Sequence, residues 1–136
     1  MLQVLHNPRC GKSRNCLAFL TEANQDFEII TYLQNPLSEA EIKELLQKLD
    51  IKPLALVRQK ETIWIESYKN KSLTDNEIIK VLSEHPILIE RPIVIKNNKA
   101  IIGRDLEKLQ EFIWKIVLLL TKIWELSLKP KRIFAL

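Results

Sequence analysis

The feature that most limits the fold is a pair of short apolar runs on either side of a helical stretch, all within the first 33 residues. "LQVLH" and "FEIITYL" are rich in residues typical of β-strands, whereas "GKSRNCLAFLTEA" carries apolar residues at helical spacing. A strand, a helix and a strand in this order predict a βαβ unit, whose two strands run parallel in one sheet. The chain is therefore predicted to have an α/β fold.

The middle third is predicted to be helical. Ser38 is followed three residues later by Glu41, and Thr74 by Glu77, which is the spacing of a capping box. An apolar stripe follows each pair, and Pro86 ends the second stripe. The less regular residues 52–71 between the two helices are predicted to form short helical turns.

The chain then returns to strands. "RPIVIKN" and "KAIIGR" flank two asparagines, which predicts a tight hairpin, and Asp105 begins a final helix. The predicted order is βαβ, a helical block, ββ and α. With 46% hydrophobic residues in 136, the chain suits one globular domain, which we place at residues 1–113.

Residues 114–136 are predicted to form a basic, apolar extension, helical at least in part. Their five lysines and arginines against one glutamate account for the whole net charge of +4, so residues 1–113 are formally neutral. A nucleic-acid-binding face would carry its basic residues on the folded body, so we expect no nucleic-acid partner.

The same extension is not expected to span a membrane. Lys115 and Lys122 bracket only six uncharged residues, whereas a spanning helix needs about 20. Packing on the body or self-association is favoured. Contact with anionic lipid, or an altered reading frame without function, stays open.

Composition excludes several other classes of protein. Two cysteines are too few for a disulfide scaffold, and the two histidines lie far apart, so we expect no metal and no bound cofactor. "MLQVLHN" reaches polar residues before a secretory signal could form, which favours a cytoplasmic protein.

Cys10 is the candidate nucleophile. If the helix begins near Gly11, Cys10 is its N-cap, where free backbone N–H groups and the helix dipole lower a thiol pKa. Arg9, Lys12 and Arg14 add positive charge. The same amides, that of Gly11 among them, would also bind an oxyanion.

A single-thiol mechanism is expected because "CGKS" has Ser13 where a dithiol enzyme has its second cysteine. Ser13 would donate a hydrogen bond to the thiolate rather than resolve a disulfide. Cys16 falls among the apolar positions of the helix and is predicted to pack in the core.

Five blocks in one order resemble the glutaredoxin-dependent arsenate reductase family, whose members have a thioredoxin-like fold with a helical insertion. They are "HNPRCGKSRNCLAFL", "YLQNPLSEAEIKELL", "LALVRQKE", "LTDNEIIKVLSEHPILIERPIVI" and "IIGRDLEKL", and they cover residues 2 to about 112. The resemblance implies that Cys10 attacks arsenate to form a covalent thiol–arsenic ester. Glutathione, as co-substrate, and glutaredoxin would then complete the reduction to arsenite.

The resemblance also supplies site residues outside the first helix. It implies oxyanion-binding roles for Arg58, Arg91 and Arg104, and a cis peptide bond before Pro92. Planar guanidinium groups suit a tetrahedral oxyanion because they bind two oxygens at once. His6 falls near the family's active site and would tune the thiol, or it would only cap the end of the strand. His85, at a helix C-terminus, is predicted to be structural.

Two other functions stay open. One is a related thiol oxidoreductase without arsenate specificity, although such an enzyme does not need three arginines. The other is a non-enzymatic regulator like the Spx-type proteins that contact RNA polymerase, but those that sense oxidation use a CxxC pair that is absent here.

Overall fold

The computed structural model describes residues 1–114. The chain forms one compact unit of Met1–Arg104 and a second that begins at Asp105. Within the described residues, no helix is long and apolar enough to cross a membrane. The predicted extension of residues 114–136, with its packing or self-association, lies outside the described residues except for its first position.

The chain begins with the predicted βαβ unit. Strand β1 spans Leu2–Leu5, helix α1 spans Gly11–Glu22, and strand β2 spans Phe27–Ile30. β1 and β2 are adjacent and parallel, with Val4 opposite Ile29. The prediction of two parallel strands joined by a helix is confirmed.

Three helices follow in the predicted helical block. Helix α2 spans Glu39–Leu49, α3 spans Thr62–Ser67 and α4 spans Asp75–Glu84. Short 3-10 turns at Pro53–Leu56 and Pro86–Leu88 precede α3 and follow α4. The short helical turns predicted for residues 52–71 are therefore present.

Both predicted capping boxes are confirmed. At the start of α2, the Ser38 hydroxyl accepts a hydrogen bond from the Glu41 amide at 3.1 Å, and the Glu41 carboxylate accepts one from the Ser38 amide at 3.0 Å. Thr74 and Glu77 make the same pair of contacts, each at 3.2 Å, at the start of α4. Each box satisfies two amides that the helix itself leaves without partners.

Two more strands complete the sheet. Strand β3 spans Ile93–Lys96 and β4 spans Lys99–Ile102, and they form the predicted hairpin, with Asn97 in the left-handed region at φ 53°. β3 is antiparallel to β1 and to β4, so the four strands lie in the order β2-β1-β3-β4.

The main core lies between this sheet and the helical block. α2 packs against both α4 and β4, and the buried side chains of the two helices form one cluster with those of the sheet. The largest completely buried members of that cluster are Tyr32, Leu5, Ile42, Leu56, Leu82, Leu88, Ile89 and Ile93.

Helix α1 places a different set of side chains in the interior. Its buried residues are Ser13, Cys16 and Leu20, which recur at helical spacing. A Cβ atom added at Gly103 would lie 3.4 Å from the Cys16 sulfur and 3.5 Å from the Val94 side chain. Cys16 is therefore enclosed beside Gly103. Its burial confirms that it packs in the core.

The second unit is helical over residues 106–114. The carboxylate of Asp105 accepts hydrogen bonds from the amides of Glu107 at 3.0 Å and Lys108 at 3.4 Å. Asp105 therefore caps this helix at the position where the sequence predicts its start.

The capping box of α2 gives a direct test of local stability. Ser38→Ala removes the oxygen that accepts from Glu41, so we expect the free energy of unfolding to fall by about 1 kcal/mol. Chemical denaturation measures this change, and Ser72→Ala is the matched control because Ser72 is an exposed serine outside any helix. Equal losses in both variants would contradict the assignment.

Candidate active site

The pairing of the strands brings four separate segments to one edge of the sheet. β1 and β2 are parallel, so their last residues, Leu5 and Ile30, lie side by side. Ile93, the first residue of β3, lies opposite Leu5 and also opposite Ile102, the last residue of β4. The segments after β1, β2 and β4 therefore meet the segment before β3. These segments carry Cys10, Tyr32, Arg91 and Arg104.

The loop after β1 presents the thiol at the start of α1. Cys10 is the N-cap residue, as predicted, with an extended backbone at φ −93° and ψ 122°. Its amide donates to the carbonyl of Asn7 at 3.0 Å, and the Asn7 side chain accepts from the Arg9 amide at 2.9 Å. Cysteine has no side-chain oxygen that could cap the helix, so the first amides of α1 are available to the sulfur.

The environment of Cys10 lowers its pKa. Partial burial on its own would raise the pKa of the thiol, but the backbone N–H of Ser13, the Arg91 guanidinium, the backbone N–H of Lys12 and the Arg104 guanidinium all favour the charged sulfur and lower the pKa. Together these donors outweigh burial, and the pKa falls below the ordinary value for cysteine. Thiolate is the nucleophilic form, so this environment raises the fraction of Cys10 that is reactive.

Ser13 contacts the thiol in a different way from the one predicted. Its buried hydroxyl lies 2.7 Å from the His6 Nδ1 and accepts from the Asn7 amide at 3.1 Å. The expected hydrogen bond from the hydroxyl to the thiolate is therefore replaced by one from the Ser13 amide. The hydroxyl instead fixes the loop that carries Cys10.

His6 and Arg14 make their side-chain hydrogen bonds to groups other than the sulfur. His6 contacts Ser13, and burial together with the charge of Arg14 lowers the pKa of its imidazole. The Arg14 guanidinium donates to the carbonyl of Pro8 at 2.9 Å. No contact within residues 1–114 supports the predicted tuning of the thiol by Arg14, whose charge acts on His6 instead. Tuning by His6 stays a prediction and would act through Ser13.

Arg91 and Arg104 both reach Cys10. Nη1 of Arg104 lies 3.8 Å from the sulfur and donates to the Arg91 carbonyl at 3.0 Å. The Arg91 side chain is only 7% exposed, and its Nη1 donates to the carbonyl of Ile87 at 3.0 Å. The peptide bond between Arg91 and Pro92 is cis, the isomer that the resemblance implies.

Arg58 belongs to the helical block and directly follows Val57, which forms a short antiparallel bridge with Ile89. The Arg58 amide donates to the Leu88 carbonyl at 2.7 Å, and the Glu90 amide donates to the Leu56 carbonyl at 2.8 Å. This bridge places the Arg58 side chain close to the segment that carries Arg91.

The three arginines and the thiol share one open cleft of about 410 Å³. Among the described residues, its lining contains five cationic side chains and no carboxylate. A concentration of guanidinium groups around a thiolate suits a small, multiply charged oxyanion that the sulfur can attack. The lining residues are Arg9, Cys10, Gly11, Lys12, Asn15, Arg58, Arg91 and Arg104.

Several residues named from the sequence lie apart from this chemistry. Cys16 is buried, and burial raises the pKa of its thiol to about 12, so it is unreactive at neutral pH. His85 ends α4, and its Nε2 lies 3.2 Å from the Tyr68 hydroxyl, which fits its predicted structural role. Within the described part of the chain, no three His, Cys, Asp or Glu side chains could hold a metal ion together.

Sequence reasoning missed three residues near the cleft. Asn7 shapes the loop before Cys10, and the Asn-Pro dipeptide is a turn signal that pointed to it. Glu61 forms ion pairs with Arg58 and Arg91. Tyr32 is completely buried, and its hydroxyl has no hydrogen-bond partner among the described residues. Burial raises the pKa of Tyr32 to about 12, and the charges of Arg91, Cys10 and Arg58 also act on it.

Comparison with known proteins gives a consistent result. The sequence profile of the ArsC family matches residues 5–112. An arsenate reductase of Neisseria meningitidis is 35% identical over 80% of this chain and 95% of its own length, and one of Haemophilus influenzae is 38% identical over 81% and 97%. The solved structure of an arsenate reductase from Vibrio cholerae, 38% identical, superposes with a TM-score of 0.77 over 81% of this chain and 95% of its own. The predicted thioredoxin-like α/β fold is confirmed.

The thiol environment predicts a specific pH dependence. Since several donors lower the pKa of Cys10, its rate of alkylation by iodoacetamide should reach half its maximum below the pH expected for an ordinary cysteine. Arg104→Ala removes one donor to the sulfur, so the midpoint should rise towards the ordinary value.

Arg14→Ala is the matched control, because the Arg14 guanidinium binds Pro8 rather than the sulfur. Its midpoint should stay closer to that of the wild type than that of Arg104→Ala. Mass spectrometry after alkylation identifies the modified cysteine. Equal shifts in the two variants would show that overall charge, rather than contact, sets the pKa.

Proposed function

The chain belongs to the ArsC family, and on that premise we propose that it reduces arsenate to arsenite with Cys10 as its nucleophile and glutathione and glutaredoxin as its reductants. The observation that carries the proposal is the convergence of Cys10, Arg58, Arg91 and Arg104 on one cleft. A thiol that only exchanges disulfides has no use for three guanidinium groups around it.

Binding of arsenate would use the arginines and the start of α1. At neutral pH arsenate is a tetrahedral oxyanion, and each guanidinium offers paired N–H donors in a plane that matches two of its oxygens. The amides at the start of α1, beginning with Gly11, add dipolar attraction. Arg91 is mostly buried and held by Ile87, so it needs little reorganisation when the anion arrives.

Attack by the Cys10 thiolate on arsenic would form a sulfur–arsenic bond and release one arsenate oxygen as water. The two protons for that water come from solvent or from protonated arsenate. The donors that stabilise the thiolate would also stabilise the negative charge that passes to the arsenate oxygens. Arg104 is suited to both tasks because it contacts the sulfur and lines the cleft.

Reduction itself needs two electrons from outside the chain. One thiol of glutathione and one of glutaredoxin would supply them and end as a mixed disulfide, while arsenic passes from the +5 to the +3 state. The sulfur–arsenic bond to Cys10 breaks in this stage, which releases arsenite and restores the Cys10 thiolate. Overall, arsenate and two thiols give arsenite, one disulfide and one water. Cys16 is buried with a pKa of about 12, so it is not suited to provide the second thiol.

Loss of Cys10 should abolish the activity. In a coupled assay that follows NADPH oxidation with glutathione, glutaredoxin and glutathione reductase, the wild type should show arsenate-dependent turnover and Cys10→Ser should show none. Cys16→Ala is the control because it removes the other thiol, and it should retain turnover. No turnover in the wild type, with Cys10 still reactive, would favour a thiol oxidoreductase with a different substrate.

Loss of Arg58 should weaken the use of arsenate more than it weakens the fold. Charge-assisted hydrogen bonds are worth about 1.5–3 kcal/mol, so Arg58→Ala should lower kcat/KM for arsenate by about 10- to 100-fold. Water still reaches its ion pair with Glu61, and such pairs contribute little to stability, so a small change in Tm is expected. A large fall in Tm with an unchanged kcat/KM would instead assign Arg58 to stability.

A further inference from the structure

Among residues 1–114, Glu61 is the carboxylate that forms ion pairs with arginines of the cleft. One oxygen, Oε1, lies 3.0 Å from the Arg58 Nε and 3.4 Å from the Arg91 Nη2. The Glu61 amide donates to the Arg58 carbonyl at 3.2 Å, so the two residues are the first and last of a single turn. The backbone therefore fixes where this carboxylate lies.

Glu61 does not saturate the guanidinium groups that it contacts. Nε of Arg58 is close to the carboxylate but its N–H is not aligned for a hydrogen bond, and the buried Nε of Arg91 also has no partner among the described residues. The contacts are ion pairs rather than a bidentate pair of hydrogen bonds. The Glu61 carboxylate thus does not occupy every donor of the two guanidinium groups.

Glu61 also lies outside the cleft, because it is not among the lining residues. Its charge therefore acts on a bound oxyanion through the arginines rather than by occupying the anion's place. Glu61 and Arg58 are each 25% exposed and Arg91 is 7% exposed, so water screens the interaction only in part.

We propose that Glu61 is a positioning residue that keeps the affinity of the cleft for tetrahedral oxyanions low. It contacts the guanidinium groups of both Arg58 and Arg91, and its negative charge offsets part of their positive charge. This inference rests on the oxyanion-binding role proposed above for the two arginines.

Weak binding has a chemical advantage in this cleft. Phosphate has the shape and charge of arsenate but is not reduced by thiols, so tight binding of any tetrahedral oxyanion would let phosphate block Cys10. If the affinity is modest, the enzyme distinguishes arsenate from phosphate at the step in which sulfur attacks arsenic rather than at binding. Glu61 would thus make the enzyme less sensitive to phosphate.

Loss of the negative charge of Glu61 would strengthen phosphate binding, whereas loss of the orientation of the arginines would weaken it. The structure favours the first effect. Glu61→Gln keeps the size of the side chain and the backbone turn with Arg58, and Arg91 stays buried and bound to the Ile87 carbonyl. The orientation of both side chains should therefore persist while one negative charge is lost. We expect phosphate to bind about tenfold more tightly in Glu61→Gln.

The experiment measures phosphate binding at Cys10 without any need for turnover. Iodoacetamide alkylates Cys10 at constant ionic strength and pH, and rising phosphate concentrations protect the thiol, which gives a Kd for each variant. Glu61→Gln should show a Kd about tenfold below that of the wild type, whereas Glu61→Asp, which keeps the charge, should stay within about threefold of it. Glu66→Gln is the matched control, because it removes the charge of an exposed glutamate on α3, the helix that follows Glu61, and should leave the Kd unchanged.

Steady-state kinetics with arsenate add a second readout. Glu61→Gln should lower KM with little change in kcat, and phosphate should inhibit it at lower concentrations than the wild type. A phosphate Kd in folded Glu61→Gln that equals or exceeds that of the wild type would overturn the proposal, as would absence of protection by phosphate in both. If the wild type fails to reduce arsenate while Glu61→Gln still binds phosphate more tightly, the proposed activity fails and the role of Glu61 stands.

Discussion

The antiparallel pairing of β1 with β3 is the interaction on which the candidate site depends. Because Leu5 ends one strand and Ile93 begins the other, the loop that leads to Cys10 and the segment that ends in Arg91 emerge side by side. The further pairing of Ile93 with Ile102 brings Arg104 to the same place. Residues separated by 94 positions in the chain, Cys10 and Arg104, thereby come into contact. A shift of register in this central pairing would disperse the thiol and its arginines.

The buried arginine shows how the fold supports a concentration of positive charge. A guanidinium as buried as that of Arg91 loses much of its hydration, which is costly unless other groups replace the water. A backbone carbonyl from Ile87 and the carboxylate of Glu61 provide part of that replacement. The same residue also lines the open cleft beside Cys10. The fold therefore holds a largely buried positive charge at a cleft that is open to an anion.

Local sequence signals predicted the elements well and the contacts between them poorly. The capping boxes at Ser38 and Thr74, the hairpin at Asn97 and the N-cap position of Cys10 all depend on neighbouring residues, and all are present. β2 is shorter than its apolar run because the amides of Gln34 and Asn35 turn back to the Thr31 carbonyl.

The convergence of the arginines could be expected only from the family resemblance, since no local pattern joins Arg58 to Arg91. Glu61 was missed because a glutamate three residues after an arginine is typical of an ordinary surface pair. Its second contact, with Arg91, exists only because of the bridge between Val57 and Ile89. Ser13 illustrates the same limit, because a neighbouring histidine takes the hydroxyl that was expected to reach the thiol.

The burial of Cys16 limits how a group attached to Cys10 can be released. A protein whose sequence holds two cysteines, one of them enclosed in the core, cannot close a disulfide within itself without opening α1. Anything that becomes attached to Cys10 must be released by water or by a sulfur from another molecule. In the proposed reaction, the turnover rate would therefore depend on the thiol supply of the surroundings, and the protein would stay in its modified form when that supply fails.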